Sequence, residues 1–136
     1  MIDAFPITIY HNPDCGTSRN ALAIIEAAGH VPTVVEYRRV GWSRPLLDEL
    51  LAAMGAKPRD VLREKGTPAA ELGLLESSIP DDRVLEAMVM HPILVNRPIV
   101  VTPKGTKLCR PSEEVLKLLD RKPNHFVKEN GEIVRL

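Results

Sequence analysis

The short apolar-rich run Ile7-Thr8-Ile9-Tyr10 leads into His11-Asn12-Pro13-Asp14-Cys15-Gly16-Thr17, a cluster of turn formers and small residues, the pattern of a β-strand ending in a loop. From Ser18 the period changes. Leu22, Ile25 and Ala28 recur at helical spacing, with Ser18 or Thr17 available as N-cap and Gly29 as the C-terminal stop. Cys15 therefore stands just before a helix N-terminus. After Pro32, Thr33-Val34-Val35-Glu36-Tyr37 reads as a second strand, and the order strand, helix, strand favours a parallel pair.

The middle of the chain has a different character. Leu46, Leu47, Leu50, Leu51 and Met54 form one helical stripe, and Val84, Leu85, Met88 and Val89 form another. Between them Pro58, Gly66, Pro68, Gly73 and Pro80 leave room only for short helices around Val61-Leu62-Arg63 and Ala70-Glu71-Leu72. A mostly helical insert over about 43–91 is expected. Ile99-Val100-Val101-Thr102 and Thr106-Lys107-Leu108-Cys109 then flank Pro103-Lys104-Gly105, which suits an antiparallel hairpin and makes the sheet mixed. Ser112 opens a capped helix through Glu114-Val115-Leu116 and Leu118-Leu119, and the polar tail from about 120 to 136 carries a hairpin around Asn130-Gly131. The pattern predicts an α/β fold.

Composition narrows the function classes. With 136 residues, 44% hydrophobic and 26% charged, the chain suits one globular domain over 1–136 and excludes wholesale disorder. Lys+Arg and Asp+Glu are 18 each, so no global field is available to hold a polyanion, which argues against nucleic acid as partner. No apolar stretch approaches the roughly 20 residues of a membrane helix, so no membrane span is expected. Met1-Ile2-Asp3-Ala4-Phe5 lacks the basic start and apolar run of a signal peptide, and two Cys are too few for a disulfide framework, so a cytoplasmic location is expected. His30, His91 and His125 are scattered without Cys/His grouping at ligand spacing, so no metal site is expected. Trp42 reads as packing or surface.

Cys15 is the first candidate for chemistry. A thiol before a helix start meets unpaired backbone N–H groups and the positive end of the macrodipole, both of which favour thiolate and a nucleophilic role. The plainer alternative is a small buried thiol with no task. Ser18 occupies the position where a C-x-x-C couple would have its second sulfur, so any disulfide step needs an outside thiol. Ala21 occupies the Arg position of a C-x5-R phosphatase loop. Cys109, at a strand end, reads as a half-buried inert thiol.

Arg63, Arg97 and Arg110 stand near element boundaries, two of them before Pro, where an extended backbone fixes their direction. A guanidinium suits an oxyanion, because its fork offers paired donors and its charge is permanent. The plainer reading of each is a solvated or salt-bridged side chain. Pro98 opens a strand and is a candidate for a cis bond, although the general preference sets it trans. His11 either holds the loop by a hydrogen bond or assists the thiolate; Ser18 caps the helix, donates to the Cys15 sulfur, or both.

Three strings are familiar together: Ile7-Thr-Ile-Tyr-His-Asn-Pro-Asp-Cys-Gly-Thr-Ser-Arg-Asn20, His91-Pro-Ile-Leu-Val-Asn-Arg-Pro-Ile-Val-Val-Thr-Pro103 and Gly105-Thr-Lys-Leu-Cys-Arg-Pro-Ser112. They closely resemble the glutaredoxin-coupled arsenate reductases, over about Ile7 to Leu119. The resemblance implies a thioredoxin-like mixed sheet with flanking helices and a helical insertion, and Pro98 as the cis-proline of that fold. It also implies Cys15 as the thiol that receives arsenate, Arg63, Arg97 and Arg110 as the catalytic and oxyanion-binding triad, and His11 and Ser18 as supports of the thiolate. Glutathione is the implied co-substrate and glutaredoxin the implied partner, with no tightly bound cofactor. Two other readings of the fold are a non-catalytic redox-sensing regulator, which usually carries C-x-x-C at this loop, and another glutathione-dependent thiol transferase; the three arginines argue against both.

Overall fold

A computed structural model describes residues 5–123 together with the strand segments 125–127 and 133–135. The chain divides into two compact units, one formed by Met1–Glu36 with Arg97–Leu136 and the other by Tyr37–Asn96. The first is an α/β unit. Strand β1 (Thr8–His11) leads to helix α1 (Gly16–Ala27) and strand β2 (Thr33–Glu36), and β3 (Ile99–Thr102) and β4 (Gly105–Leu108) complete a sheet of order β2-β1-β3-β4. β1 and β2 are parallel, as a strand–helix–strand crossover requires, whereas β3 runs antiparallel to both β1 and β4. The mixed sheet expected from the sequence is therefore present. The hairpin register places Thr102 opposite Gly105, one residue earlier than the sequence pattern suggests.

The core of this unit lies between the sheet and α1. Ile9, Ala21, Ile24, Ile25 and Val100 are fully enclosed, joined by Val115, Leu118 and Leu119 from the segment after β4. Each of the Ile, Val and Leu side chains contributes about 1.5–3 kcal/mol through removal from water. Ala21, Ile24 and Ile25 of α1 and its C-cap residue Ala28 present one face to this core, because their spacing matches the helical repeat. Gly29, at φ 91, takes the chain out of the helix in a backbone conformation that side chains with a Cβ rarely adopt.

Several local expectations change in the structure. Cys15 itself, not Thr17 or Ser18, is the N-cap residue of α1. Tyr37 leaves the second strand and opens a four-residue helix, α2 (Tyr37–Val40). The helix expected from Ser112 is a 3-10 segment, Ser112–Leu118, entered through Pro111; Ser112 Oγ donates to Glu113 Oε1 at 2.7 Å and caps nothing. Both Arg97–Pro98 and Arg110–Pro111 are cis, against the general trans preference. The Asn130-Gly131 turn lies outside the described residues, while β5 (His125–Val127) and β6 (Ile133–Arg135) pair antiparallel on either side of it.

The second unit is helical. α3 (Arg44–Met54) starts where Ser43 Oγ accepts the Leu46 N–H at 3.2 Å and stops at Gly55, φ 63; it buries Leu47, Leu50 and Leu51. α4 (Asp81–Met90) buries Val84, Leu85 and Met88, whereas Val89, expected on the same stripe, is exposed. Between them Pro58–Val61 forms a 3-10 turn, Leu62 pairs with Val95 in an isolated bridge, and residues 70–72 are turn rather than helix. Trp42 is packing: its ring stacks on Tyr37 at 4.9 Å and its Nε1 donates to the Pro92 carbonyl at 3.2 Å.

Candidate functional site

The loop after β1 holds its shape through a small set of hydrogen bonds. The Cys15 N–H donates to the Asn12 carbonyl at 3.0 Å, and the Arg19 N–H donates to the Cys15 carbonyl at 2.9 Å, which starts α1. Cys15 is extended at φ −102, ψ 121, so its side chain lies beside the first turn of the helix, where backbone N–H groups have no intrahelical acceptor. The buried Ser18 hydroxyl accepts the Asn12 N–H at 3.1 Å and shares a 2.6 Å hydrogen bond with His11 Nδ1. His11 and Ser18 thus brace the loop through each other. The Ser18 contribution to the sulfur comes from its backbone N–H, which favours charge there without making a formal side-chain cap.

Two of the three predicted arginines meet Cys15. Arg110 Nη1 lies 3.8 Å from Cys15 Sγ and donates to the Arg97 carbonyl at 2.8 Å, so one guanidinium links the sulfur to the peptide before Pro98. Arg97 is buried and also hydrogen-bonds the sulfur. Burial of Cys15 opposes ionisation and is the largest single influence; the Ser18 N–H, the Arg97 and Arg110 side chains and the Arg97 charge together outweigh it and hold the thiol below its ordinary value. A unit charge pair about 4 Å apart is worth about 4 kcal/mol at an effective dielectric near 20, enough for two guanidiniums to offset partial burial. His11 is shifted down, chiefly by burial and further by the Arg19 charge, against the pull of Glu36 and Glu26. It therefore sits in the site as a neutral hydrogen-bonding ring, not as a cation beside the thiolate.

Arg63 belongs to the helical unit. Its backbone N–H donates to the Leu94 carbonyl at 2.7 Å and the Asn96 N–H donates to the Val61 carbonyl at 2.7 Å, so residues 61–63 and 94–96 form a short antiparallel ladder. Arg63 Nη1 lies 3.5 Å from Asn96 Oδ1 and its Nε donates to the Lys65 carbonyl at 3.2 Å. In the chain, that ladder ends one residue before Arg97.

Cys109 is fully enclosed in the sheet core, not half-buried, and burial pushes its thiol up to about 12. Its Sγ donates weakly to the Lys107 carbonyl at 3.6 Å. Both cysteines are free thiols. Among the described residues no group of His, Cys, Asp or Glu could hold a metal ion, and no helix is long and apolar enough to cross a membrane. Sequence reasoning treated Asn12 only as one turn former among several; its side chain is enclosed and accepts the Asp14 N–H at 2.9 Å.

The chain resembles known proteins along most of its length. The arsenate reductase ArsI2 of Synechocystis sp. is 60% identical over 129 residues, covering 94% of this chain and 92% of that protein. The arsenate reductase of Escherichia coli is 53% identical over the same span, covering 94% and 92%. Among solved structures, the arsenate reductase from Vibrio cholerae superimposes with a TM-score of 0.81 at 38% identity, covering 86% of this chain and 100% of that one. The ArsC family profile matches residues 10–118, and the chain belongs to the ArsC family.

Proposed function

We infer that this chain is an arsenate reductase in which Cys15 is the nucleophile, Arg63, Arg97 and Arg110 bind the oxyanion, and glutathione and glutaredoxin supply the electrons. The observation that carries this reading is the placement of Arg97 and Arg110 on the Cys15 sulfur at the start of α1. Family membership and the arsenate reductases at 53% and 60% identity support the substrate. Arg63 completes the set in this reading, a role carried over from the resemblance to the family.

Arsenate is a tetrahedral oxyanion with charge spread over its oxygens, so planar guanidiniums bind it in pairs of hydrogen bonds and stabilise the charge that builds during attack. The Cys15 thiolate attacks arsenic while one arsenic–oxygen bond breaks and that oxygen leaves as water, with protons taken from solvent. The chain has two cysteines, and the second is enclosed in the core, so the reductant is an outside thiol. Glutathione displaces a second oxygen as water. Glutaredoxin thiolate then attacks the glutathione sulfur, the sulfur–arsenic electron pair stays on arsenic, and As(V) becomes As(III) as the glutaredoxin–glutathione disulfide departs. Water hydrolyses the remaining Cys15–arsenic bond and releases arsenite and the thiol. Glutathione is thus a co-substrate, and phosphate, similar in shape and charge, competes for the arginines.

The test is arsenite release from arsenate with glutathione and glutaredoxin present together and each omitted in turn. The reading expects turnover with both and little with either missing. Full turnover without glutathione would overturn the electron route, and no arsenite under any condition would overturn the activity.

A further inference from the structure

Asn12 is 1% exposed although it lies in a polar loop three residues before Cys15. Three of its atoms are engaged. Oδ1 accepts the Asp14 N–H at 2.9 Å, the backbone carbonyl accepts the Cys15 N–H at 3.0 Å, and the backbone N–H donates to Ser18 Oγ at 3.1 Å. The first is an Asx turn, in which a short side chain imitates a backbone carbonyl and closes a tight bend two residues on. The second sets the amide of the nucleophile itself, and the third reaches the Ser18 hydroxyl in the first turn of α1, which is also hydrogen-bonded to His11.

We propose that Asn12 is a positioning residue for Cys15: its enclosed side chain closes the turn that delivers the sulfur to Arg97, Arg110 and the first N–H groups of α1. Pro13 and Asp14 on either side of the bend are exposed, so packing of these two residues does not impose the path of the loop. The Asn12 side chain closes the bend through the Asp14 N–H, and Arg19 Nη1 donates to the Pro13 carbonyl. A sulfur whose reactivity depends on several donors arriving together loses most from a small displacement, because every contact weakens at once. Asn12 touches neither the sulfur nor the oxyanion in this account; it acts through the backbone of residues 14 and 15.

This inference rests on Cys15 as the reactive thiol, and its primary readout needs no arsenate turnover, so it stands or falls separately from the reductase reading. Asn12→Ala removes the side-chain amide, and with it the Oδ1 acceptor of the turn, but leaves both backbone hydrogen bonds available, whereas Asn12→Ser restores a shorter acceptor that closes the same kind of turn more weakly. The experiment measures the pH dependence of Cys15 alkylation in the parent and both variants, with protection of Cys109 from alkylation reporting an intact core, and kcat and KM for arsenate measured in parallel.

The expected result for Asn12→Ala is an alkylation midpoint at higher pH, a rate at neutral pH about threefold to tenfold lower, and a lower kcat/KM, with Asn12→Ser between it and the parent. A parent-like midpoint in folded Asn12→Ala, or Asn12→Ser indistinguishable from Asn12→Ala, overturns the proposal. Should Asn12→Ala fail to fold, Asn12→Ser decides alone: a raised midpoint supports the role and an unmoved one contradicts it.

Discussion

The Arg110 guanidinium stands 3.8 Å from the Cys15 sulfur, although 95 residues separate the two in the chain. β1 delivers one and the end of β4 the other, and because β3 runs antiparallel to both, those ends lie at the same end of the sheet. Under the proposed function, anion binding and thiol activation share a group: the cation that lowers the Cys15 thiol would also receive arsenate.

Removal of that cation has a defined sign. In Arg110→Ala the Cys15 thiol loses one of the influences that lower it, so its titration moves toward the ordinary 9.0. The thiolate fraction at neutral pH falls, and alkylation there slows by at most about tenfold for each unit of upward shift, the gain in thiolate nucleophilicity offsetting part of the loss. In the parent, the lowered thiol adds folded-state stability that is fully present above 9.0 and is lost as pH falls through the folded-state value. The pH profile of Cys15 alkylation checks the shift; an unmoved midpoint would remove Arg110 from thiol activation.

Arg63→Lys keeps the charge and discards the fork. An ammonium cannot make paired planar hydrogen bonds to an oxyanion, so kcat/KM for arsenate is expected to fall about tenfold or more. Steady-state kinetics on protein with parent-like circular dichroism checks this, and retention of activity within about twofold would dismiss the bidentate role.

The second thiol has the opposite character. Cys109, enclosed and with its thiol raised to about 12, should resist alkylation in the native protein and react only on unfolding, while Cys15 reacts at once. Cys109→Ser should keep most of the turnover and cost about 1–2 kcal/mol of stability, because it places a hydroxyl among apolar neighbours. Loss of turnover in folded Cys109→Ser would show that the thiol takes part in the reaction.

The elements framing the site are legible in the sequence because they rest on local pattern. The first strand with the loop after it, the helix carrying Ile25, and the hairpin around Pro103-Lys104 follow from spacing or turn chemistry, although the apolar face centres on Ala21, Ile24 and Ile25 rather than Leu22 and the hairpin register shifts by one residue. What the pattern misplaces is decided by contacts distant in sequence or by competition among neighbours. Ser18 has the side chain of an N-cap, yet its hydroxyl is taken by His11 and the Asn12 N–H, so Cys15 holds the cap position. Ser112 likewise spends its hydroxyl on Glu113, and the segment winds as a 3-10 helix. The Arg97 and Arg110 contacts to Cys15 depend on strand order in a mixed sheet, which no local window contains; resemblance to a family, not periodicity, pointed to them. Asn12 carries the signal of an Asx turn, but the burial that makes it matter is visible only in the folded chain.

The central claim is that the Cys15 sulfur forms the bond to arsenic. Arsenite released from arsenate by Cys15→Ser, set against the parent with saturating glutathione and glutaredoxin, addresses it most directly. The account predicts that the parent turns over and the folded serine variant releases no arsenite above background, since a serine hydroxyl is not ionised there and offers no thiolate. Parent-like arsenite release from Cys15→Ser would contradict it.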